Sequence, residues 1–190
     1  YADAIEFSSD GGTMYALGGN ISAYTLGTPW DITTAVYDAD VYPLPANYQD
    51  DVKFNADGSK FYTIEGTYVR EYDMSVAFDI KTATTGANFN IATTATALNM
   101  SSDGTKFYFV TSPSMRQFTA STPWDVTTLV YDNVIEDLGA LEPSSHGSYQ
   151  YFDFKRDGTK VWAVSSNYYV DEYTLLTPWD IDGMSWTSTN

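Results

Sequence analysis

The sequence predicts an all-β fold, a β-propeller of four four-stranded antiparallel blades, on three observations. The 190 residues contain four copies of one pattern, marked by the pairs Asp10-Gly11, Asp57-Gly58, Asp103-Gly104 and Asp157-Gly158. Each copy contains short aromatic-rich segments in which apolar and polar residues alternate, as in half-buried strands. No segment of ten or more residues shows helical periodicity with capping signals. Repeats of this length with four strands are typical of propeller blades.

Each copy divides into strands A, B, C and D. The Asp-Gly turn joins A to B, because glycine accepts a positive φ and aspartate bonds its own turn. A Thr-Pro-Trp-Asp turn joins C to D at residues 28–31, 122–125 and 177–180, and the second copy has Phe78 in place of tryptophan. The blades are expected at about 1–42, 48–88, 95–135 and 149–190, in a single domain over residues 1–190.

The segments Phe-Ser-Ser-Asp-Gly-Gly-Thr-Met-Tyr (7–15) and Asn-Met-Ser-Ser-Asp-Gly-Thr-Lys-Phe-Tyr (99–108) resemble the YVTN-type propeller repeats of surface-layer and lactonase-like proteins. The Tyr-Thr-Leu-x-Thr-Pro-Trp-Asp-Ile/Val addition (24–32 and 173–181) resembles a variant found in predicted tail and structural proteins of marine bacteriophages. The resemblance implies a propeller and carries over no catalytic residue. Four blades would form either a closed ring or part of a larger propeller.

The charge limits the classes of partner. With 25 acidic against 9 basic residues, the formal net charge is −16, which disfavours nucleic acid and anionic membrane surfaces. The apolar runs are far shorter than the roughly 20 residues of a spanning helix, so no membrane insertion is expected. There is no cysteine, so neither disulfides nor thiol chemistry contributes.

The repeated turns are expected to build the scaffold. Trp30, Trp124 and Trp179 are interpreted as residues that fix the C–D hairpins rather than as a sugar platform. The aspartates after them, Asp31, Asp79, Asp125 and Asp180, are expected to cap turns. Lys60, Lys106 and Lys160 suggest local ion pairs with the Asp-Gly turns. In the A strands, Glu6, Lys53, Asn99 and Asp153 suggest an inner ion-pair network.

The opposite face differs from copy to copy and is the expected recognition surface. Its B–C loops and D–A connections are rich in tyrosine, asparagine and aspartate, a mixture suited to glycan or protein ligands. The candidate ligand-binding residues are Tyr42, Asn47, Tyr48, Tyr68, Asn88, Tyr149, Tyr168 and Tyr169. No cofactor is expected. The alternative is a calcium ion, for which the candidate metal ligands are Asp50, Asp51, Glu136 and Asp137.

Catalysis is not expected. His146 is the only histidine and is interpreted as part of a flexible loop, and the sequence lacks a nucleophile-elbow pattern. The prediction is a non-enzymatic binding or structural module, extracellular or on a virion or cell surface, that recognises a glycan or protein. Two alternatives stay open. One is a carboxylate-dependent hydrolase of polysaccharide or lactone, and the other is an assembly element, as a homo-oligomer or within a larger parent chain, that completes a larger propeller.

Overall fold

The computed structural model describes residues 3–44, 50–142 and 146–189. It contains sixteen strands in four antiparallel sheets, and the order within each sheet follows the chain. Blade 1 comprises β1 (Ala4–Phe7), β2 (Thr13–Leu17), β3 (Asn20–Leu26) and β4 (Ala35–Pro43). Blade 2 comprises β5 (Val52–Phe54), β6 (Lys60–Glu65), β7 (Tyr68–Met74) and β8 (Ala83–Asn90).

Blade 3 comprises β9 (Ala97–Met100), β10 (Lys106–Thr111), β11 (Ser114–Ala120) and β12 (Leu129–Asp137). Blade 4 comprises β13 (Tyr149–Phe154), β14 (Lys160–Ser165), β15 (Val170–Thr174) and β16 (Ser185–Thr189). The single α-helix among the described residues is α1 (Leu138–Leu141), and none of their helices is long and apolar enough to cross a membrane. The predicted fold class, a four-bladed β-propeller, is confirmed.

The chain divides into two compact units, and each contains two blades. Unit 1 is Tyr1–Ala92 and unit 2 is Thr93–Asn190. The core of unit 1 includes Tyr15, Ile21, Val52, Phe61 and Tyr72, all fully buried. The core of unit 2 lies between blades 3 and 4 and includes buried residues from β10, β13, β14 and β15. The prediction of a single domain over 1–190 stays a prediction.

A latch between the two repeated turns closes one end of each blade. In blade 1 the amide of Trp30 donates to the carbonyl of Gly11, N to O 3.0 Å, and the indole covers that glycine so closely that a Cβ would overlap the ring. Gly58 with Phe78, Gly104 with Trp124, and Gly158 with Trp179 repeat the arrangement. This packing agrees with the interpretation that Trp30, Trp124 and Trp179 fix the C–D hairpins.

Within each unit, a tyrosine joins one blade to the latch of the next. The hydroxyl of Tyr15 in blade 1 donates to the carbonyl of Phe78 in blade 2. In unit 2, Tyr108 of blade 3 makes the same bond to the carbonyl of Trp179 in blade 4. Both tyrosines are fully buried. The latches therefore also provide acceptors for contacts between neighbouring blades.

The turn aspartates have the predicted capping roles. Asp31, Asp79 and Asp125 cap short 3-10 turns at 32–34, 80–82 and 126–128, which separate the Trp-Asp or Phe-Asp pair from strand D. The Asp-Gly aspartates accept hydrogen bonds within their own turns, and these bonds lower the pKa of Asp10, Asp57, Asp103 and Asp157. The ionised carboxylate is the form that these turns stabilise.

The expected partners of the turn lysines were wrong. Lys60 contacts Glu71 and Asp73, Lys106 contacts Asp132, and Lys160 contacts Glu172, at 2.5–2.9 Å from Nζ to oxygen. Glu71, Asp73 and Glu172 lie on strand C, next to strand B of the lysine, and Asp132 lies on strand D, one strand further along the sheet. The partners are therefore set by cross-strand register within the sheet rather than by nearness to the turn.

The A-strand polar residues pair within each unit. The Lys53 Nζ to Glu6 Oε2 distance is 2.6 Å, and the Asn99 amide donates to Asp153 at 2.8 Å. The two contacts join neighbouring A strands, β1 with β5 and β9 with β13. The predicted ion pair is therefore present in unit 1, and an amide–carboxylate bond takes its place in unit 2.

Candidate functional site

Two departures from the repeat meet in unit 2 and define the candidate site. The B–C loops of blades 1, 2 and 3 contain two residues each, at 18–19, 66–67 and 112–113, whereas that of blade 4 contains four, 166–169. The D–A connections contain eight residues at 44–51, six at 91–96 and eleven at 138–148. Segments 146–148 and 166–169, here called the blade-4 loop pair, contact each other.

The contacts within the loop pair are specific. The amide of Ser166 donates to the carbonyl of Ser148, N to O 2.7 Å. The rings of His146 and Tyr169 stack with centroids 4.0 Å apart and an interplanar angle of 23°. A Cβ on Gly147 would lie 2.9 Å from the amide nitrogen of Asn167, so the backbone at Gly147 approaches this side chain closely. The two inserted segments therefore form one ordered surface.

A buried acidic group anchors the loop pair from below. His146 is only 7% exposed, and its Nδ1 lies 3.0 and 3.1 Å from the two carboxylate oxygens of Asp171, which is fully buried. The backbone amide of His146 donates to Glu142, N to Oε1 2.7 Å. The interpretation of His146 as part of a flexible loop stays a prediction; in the structure both its ring and its backbone amide contact buried carboxylates.

The same carboxylate connects the loop pair to the core of unit 2. The hydroxyl of Tyr149 donates to Asp171 at 2.9 Å, and the hydroxyl of Tyr173 donates to Tyr149 at 3.0 Å or to the carbonyl of Leu138 at 3.1 Å. Burial raises the pKa of the Tyr149 hydroxyl, and the bonds to Tyr173 and Asp171 raise it further. Tyr149 therefore donates to Asp171 as a neutral phenol at any ordinary pH.

Tyr168 is the exposed end of this arrangement. Its side chain is 94% exposed, and its backbone has φ = 68°, in the left-handed region. The short B–C loops of blades 1 and 2 use glycine for this conformation, Gly19 at φ = 79° and Gly66 at φ = 57°. A tyrosine there costs about 1–2 kcal/mol of backbone strain without burial to offset it. The latch residues Trp30, Phe78, Trp124 and Trp179 share a positive φ, but each of their rings covers a glycine, whereas the Tyr168 side chain is exposed to solvent.

Among the described residues, the other candidates for ligand binding are Tyr149 in unit 2 and Tyr42, Tyr68 and Asn88 in unit 1. Tyr149 is fully buried, as described. Tyr42 is half-buried and packs edge-on against Phe61 and Tyr72 in unit 1. Tyr68 is 39% exposed at the start of β7, and Asn88 is exposed in β8. Asn47 and Tyr48 lie outside the described residues.

Three of the four candidate metal ligands have a hydrogen-bond partner close in the chain or on a neighbouring segment. Asp51 is buried and its Oδ1 accepts from the amide of Val52 at 2.9 Å. Asp137 caps α1 through Ala140, and Glu136 accepts from the amide of Gly183 at 2.7 Å. Burial raises the pKa of Asp50 and of Glu136. Across 3–44, 50–142 and 146–189, no three histidine or acidic side chains converge as metal ligands would.

A recess of about 260 Å³ lies on blade 1. Its lining residues are Ala16, Leu17, Gly18, Asn20, Ser22, Tyr24 and Val41. The lining contains no ionisable group other than the Tyr24 phenol, so acid–base chemistry has no acidic or histidine side chain there. The recess is a feature of unit 1 alone.

The fold and the loop pair define a β-propeller protein with one elaborated blade. No protein-family model matches the chain, and no curated protein matches it. Among solved structures it is similar to a protein from Bacteroides uniformis described as a "putative 6-phosphogluconolactonase". The TM-score is 0.59 at 15% identity, over 90% of this chain and 49% of that one. The chain thus spans about half the length of that structure, and the likeness concerns the fold.

Proposed function

We propose that this protein is a non-enzymatic binding module and that the blade-4 loop pair is its recognition surface. The observation that carries the proposal is the meeting of two inserted segments, one of which exposes Tyr168 in a strained conformation. The ligand is a glycan or a protein, encountered outside the cell or on a virion or host surface. Variable loops on a rigid repeated scaffold are a common seat of recognition.

The buried anchor supports this proposal because it makes the surface rigid. Asp171 holds His146, His146 supports the ring of Tyr169, and Ser165 accepts from the amide of Tyr168 at 3.1 Å. A surface ordered before binding loses little conformational entropy when the ligand arrives.

Loop shortening tests the proposal. Residues 166–169 are replaced by the Gly-Thr turn of blade 2, which removes the insertion and leaves the strands unchanged. Wild type and variant are compared on a glycan array and on intact host-type cell surfaces, with calcium and with chelator. Binding that the shortened variant loses supports the proposal, and the calcium arms test the calcium alternative. Equal binding by both proteins, or none by either, overturns it.

A hydrolase of a lactone or polysaccharide is the second candidate. It is favoured by the description of the Bacteroides protein as a "putative 6-phosphogluconolactonase" and by the His146–Asp171 pair, since an aspartate at Nδ1 orients a general base. Hydrolysis is followed by acid release from aldonolactones and by reducing ends from polysaccharides. Turnover that His146→Gln abolishes would establish this candidate, and its absence leaves the binding proposal.

The assembly alternative is motivated by length. The chain matches 49% of the Bacteroides structure, so two copies or further blades would be needed to equal it. The mass in solution distinguishes the cases. A dimer mass at micromolar concentration would support an assembly element, and a monomer mass would count against self-assembly.

A further inference from the structure

We infer that the ligand of the blade-4 loop pair is a neutral pyranose sugar that stacks on Tyr168, an inference that rests on the proposed function. The evidence comes from the exposed ring, the polar side chains beside it, the absence of basic residues and the small size of the surface.

The exposed ring indicates a stacking ligand. Tyr168 is 94% exposed and Tyr169 is 42% exposed, with one ring face of Tyr169 against His146. A tyrosine presents a broad apolar face and loses little side-chain entropy on binding. The C–H face of a pyranose is apolar and flat enough to cover such a ring, while its hydroxyls remain at the edge.

The neighbouring side chains match those hydroxyls. Ser166 and Asn167 are exposed and directly precede Tyr168. Together they offer a hydroxyl and an amide, which both donate and accept hydrogen bonds. The amide of Asn167 also lies close to the backbone of Gly147, the other segment of the loop pair. An apolar face flanked by short neutral polar groups fits a sugar without a charged substituent.

The segments that form the loop pair contain no basic residue, which disfavours an acidic sugar. Residues 138–150 and 161–172 contain no lysine or arginine, and the whole chain has a formal net charge of −16. An anionic ligand would therefore meet repulsion without a basic partner. A cationic ligand is also disfavoured, because the carboxylates of Asp171 and Glu142 are buried and already contact His146.

The size of the surface favours a sugar over a protein. The pair consists of three residues at 146–148 and four at 166–169, and His146 is almost fully covered. A stable protein partner requires about 800 Å² from each side, which is many more residues than this. One or two pyranose rings would cover the exposed tyrosines.

The test compares neutral and charged sugars on the intact chain. Cellobiose, maltose and lactose are titrated by calorimetry, next to sialyllactose and a chitosan oligomer. The variants are Tyr168→Ala, which removes the ring, Tyr168→Phe, which retains it, and Tyr37→Ala as a control at an exposed tyrosine of blade 1. We expect a neutral disaccharide to bind, Tyr168→Ala to weaken it at least about tenfold, and the other two variants to bind within about twofold of wild type.

Three results would overturn the inference. They are binding of the charged sugars alone, neutral-sugar binding that Tyr168→Ala leaves unchanged, and no sugar binding while the chain still binds a cell surface through residues 166–169. The third result retains the proposed function and assigns its ligand to protein. If neither sugars nor cell surfaces bind in a loop-dependent manner, the proposed function fails as well.

Discussion

The contribution of the blade-2 latch to folding stability can be measured by comparing alanine substitutions at two glycines of that blade, Gly58 and Gly66. Gly58 (φ = 71°) lies under the ring of Phe78, whereas Gly66 (φ = 57°) has nothing within 4 Å of where a Cβ would stand. Alanine at either position carries the cost of a left-handed backbone, about 1–2 kcal/mol. At Gly58 the Cβ must also displace the ring. The difference between the two variants therefore reports the latch.

The size of that difference follows from what the ring contacts. Displacing the half-buried Phe78 forfeits about 1 kcal/mol of burial and part of its packing against Phe54, whose ring centroid is 5.8 Å away. It also weakens the bond from the Phe78 amide to Gly58, worth about 1 kcal/mol. We expect Gly58→Ala to cost about 2 kcal/mol more than Gly66→Ala, and its melting temperature to be about 4–8 °C lower.

Urea denaturation followed by circular dichroism measures both variants, and a double-mutant cycle checks the cause. Phe78→Ala removes the ring, so Gly58→Ala on that background should cost only the backbone strain. The two changes should therefore be non-additive by about 2 kcal/mol. Equal losses for Gly58→Ala and Gly66→Ala, or strict additivity with Phe78→Ala, would refute the latch argument.

Three further outcomes are expected. Tyr168→Gly should raise the free energy of unfolding, measured by urea denaturation, by about 0.5–1 kcal/mol, since glycine relieves the backbone strain at φ = 68°. The same variant should lose ligand binding. A variant less stable than the wild type would contradict the strain argument. Asp171→Asn should lower the free energy of unfolding by about 2–4 kcal/mol, because His146 and Tyr149 lose a buried charged acceptor. It should also speed amide hydrogen exchange at residues 146–148, and unchanged exchange would mean that Asp171 does not anchor the loop. The pKa of each Asp-Gly aspartate, such as Asp103, is lowered in the folded protein. Its contribution to the free energy of unfolding is therefore present above the unfolded pKa of about 3.9 and is lost as the pH falls below that value. The urea midpoint of the wild type should drop between pH 6 and pH 3, and that of Asp103→Asn should drop less.

The scaffold was predictable because its signals are local. An Asp-Gly pair specifies a turn within four residues, and alternation specifies a strand within five or six. The strands therefore lie where the repeats indicated, and the turn aspartates have the capping roles that their positions suggested. The same local view failed for Lys60, whose partners on β7 follow from cross-strand register rather than from nearness to the turn.

The site was only partly predictable because its contacts are long-range. The sequence shows that segment 138–148 is long and that two tyrosines stand at 168–169. It does not show that residues 146–148 contact residues 166–169. One signal for the anchor was available. Asp171 stands two residues before Tyr173, so the alternation of β15 places both side chains on the buried face. A carboxylate at a core position requires partners, and His146 is the only histidine in the chain.

The latch has a consequence for how such a chain can change. Each ring fastens to a glycine of its own blade, at the end where strands A and B are joined and strands C and D are joined. The B–C loops and D–A connections lie at the other end of the blade and are not part of the latch, so their length and sequence can change while the A–B and C–D turns stay in contact. The four-residue B–C loop of blade 4 is such a change. Grafting its 166–169 segment between Glu65 and Tyr68 of blade 2 would show whether the scaffold accepts new loops as interchangeable cassettes.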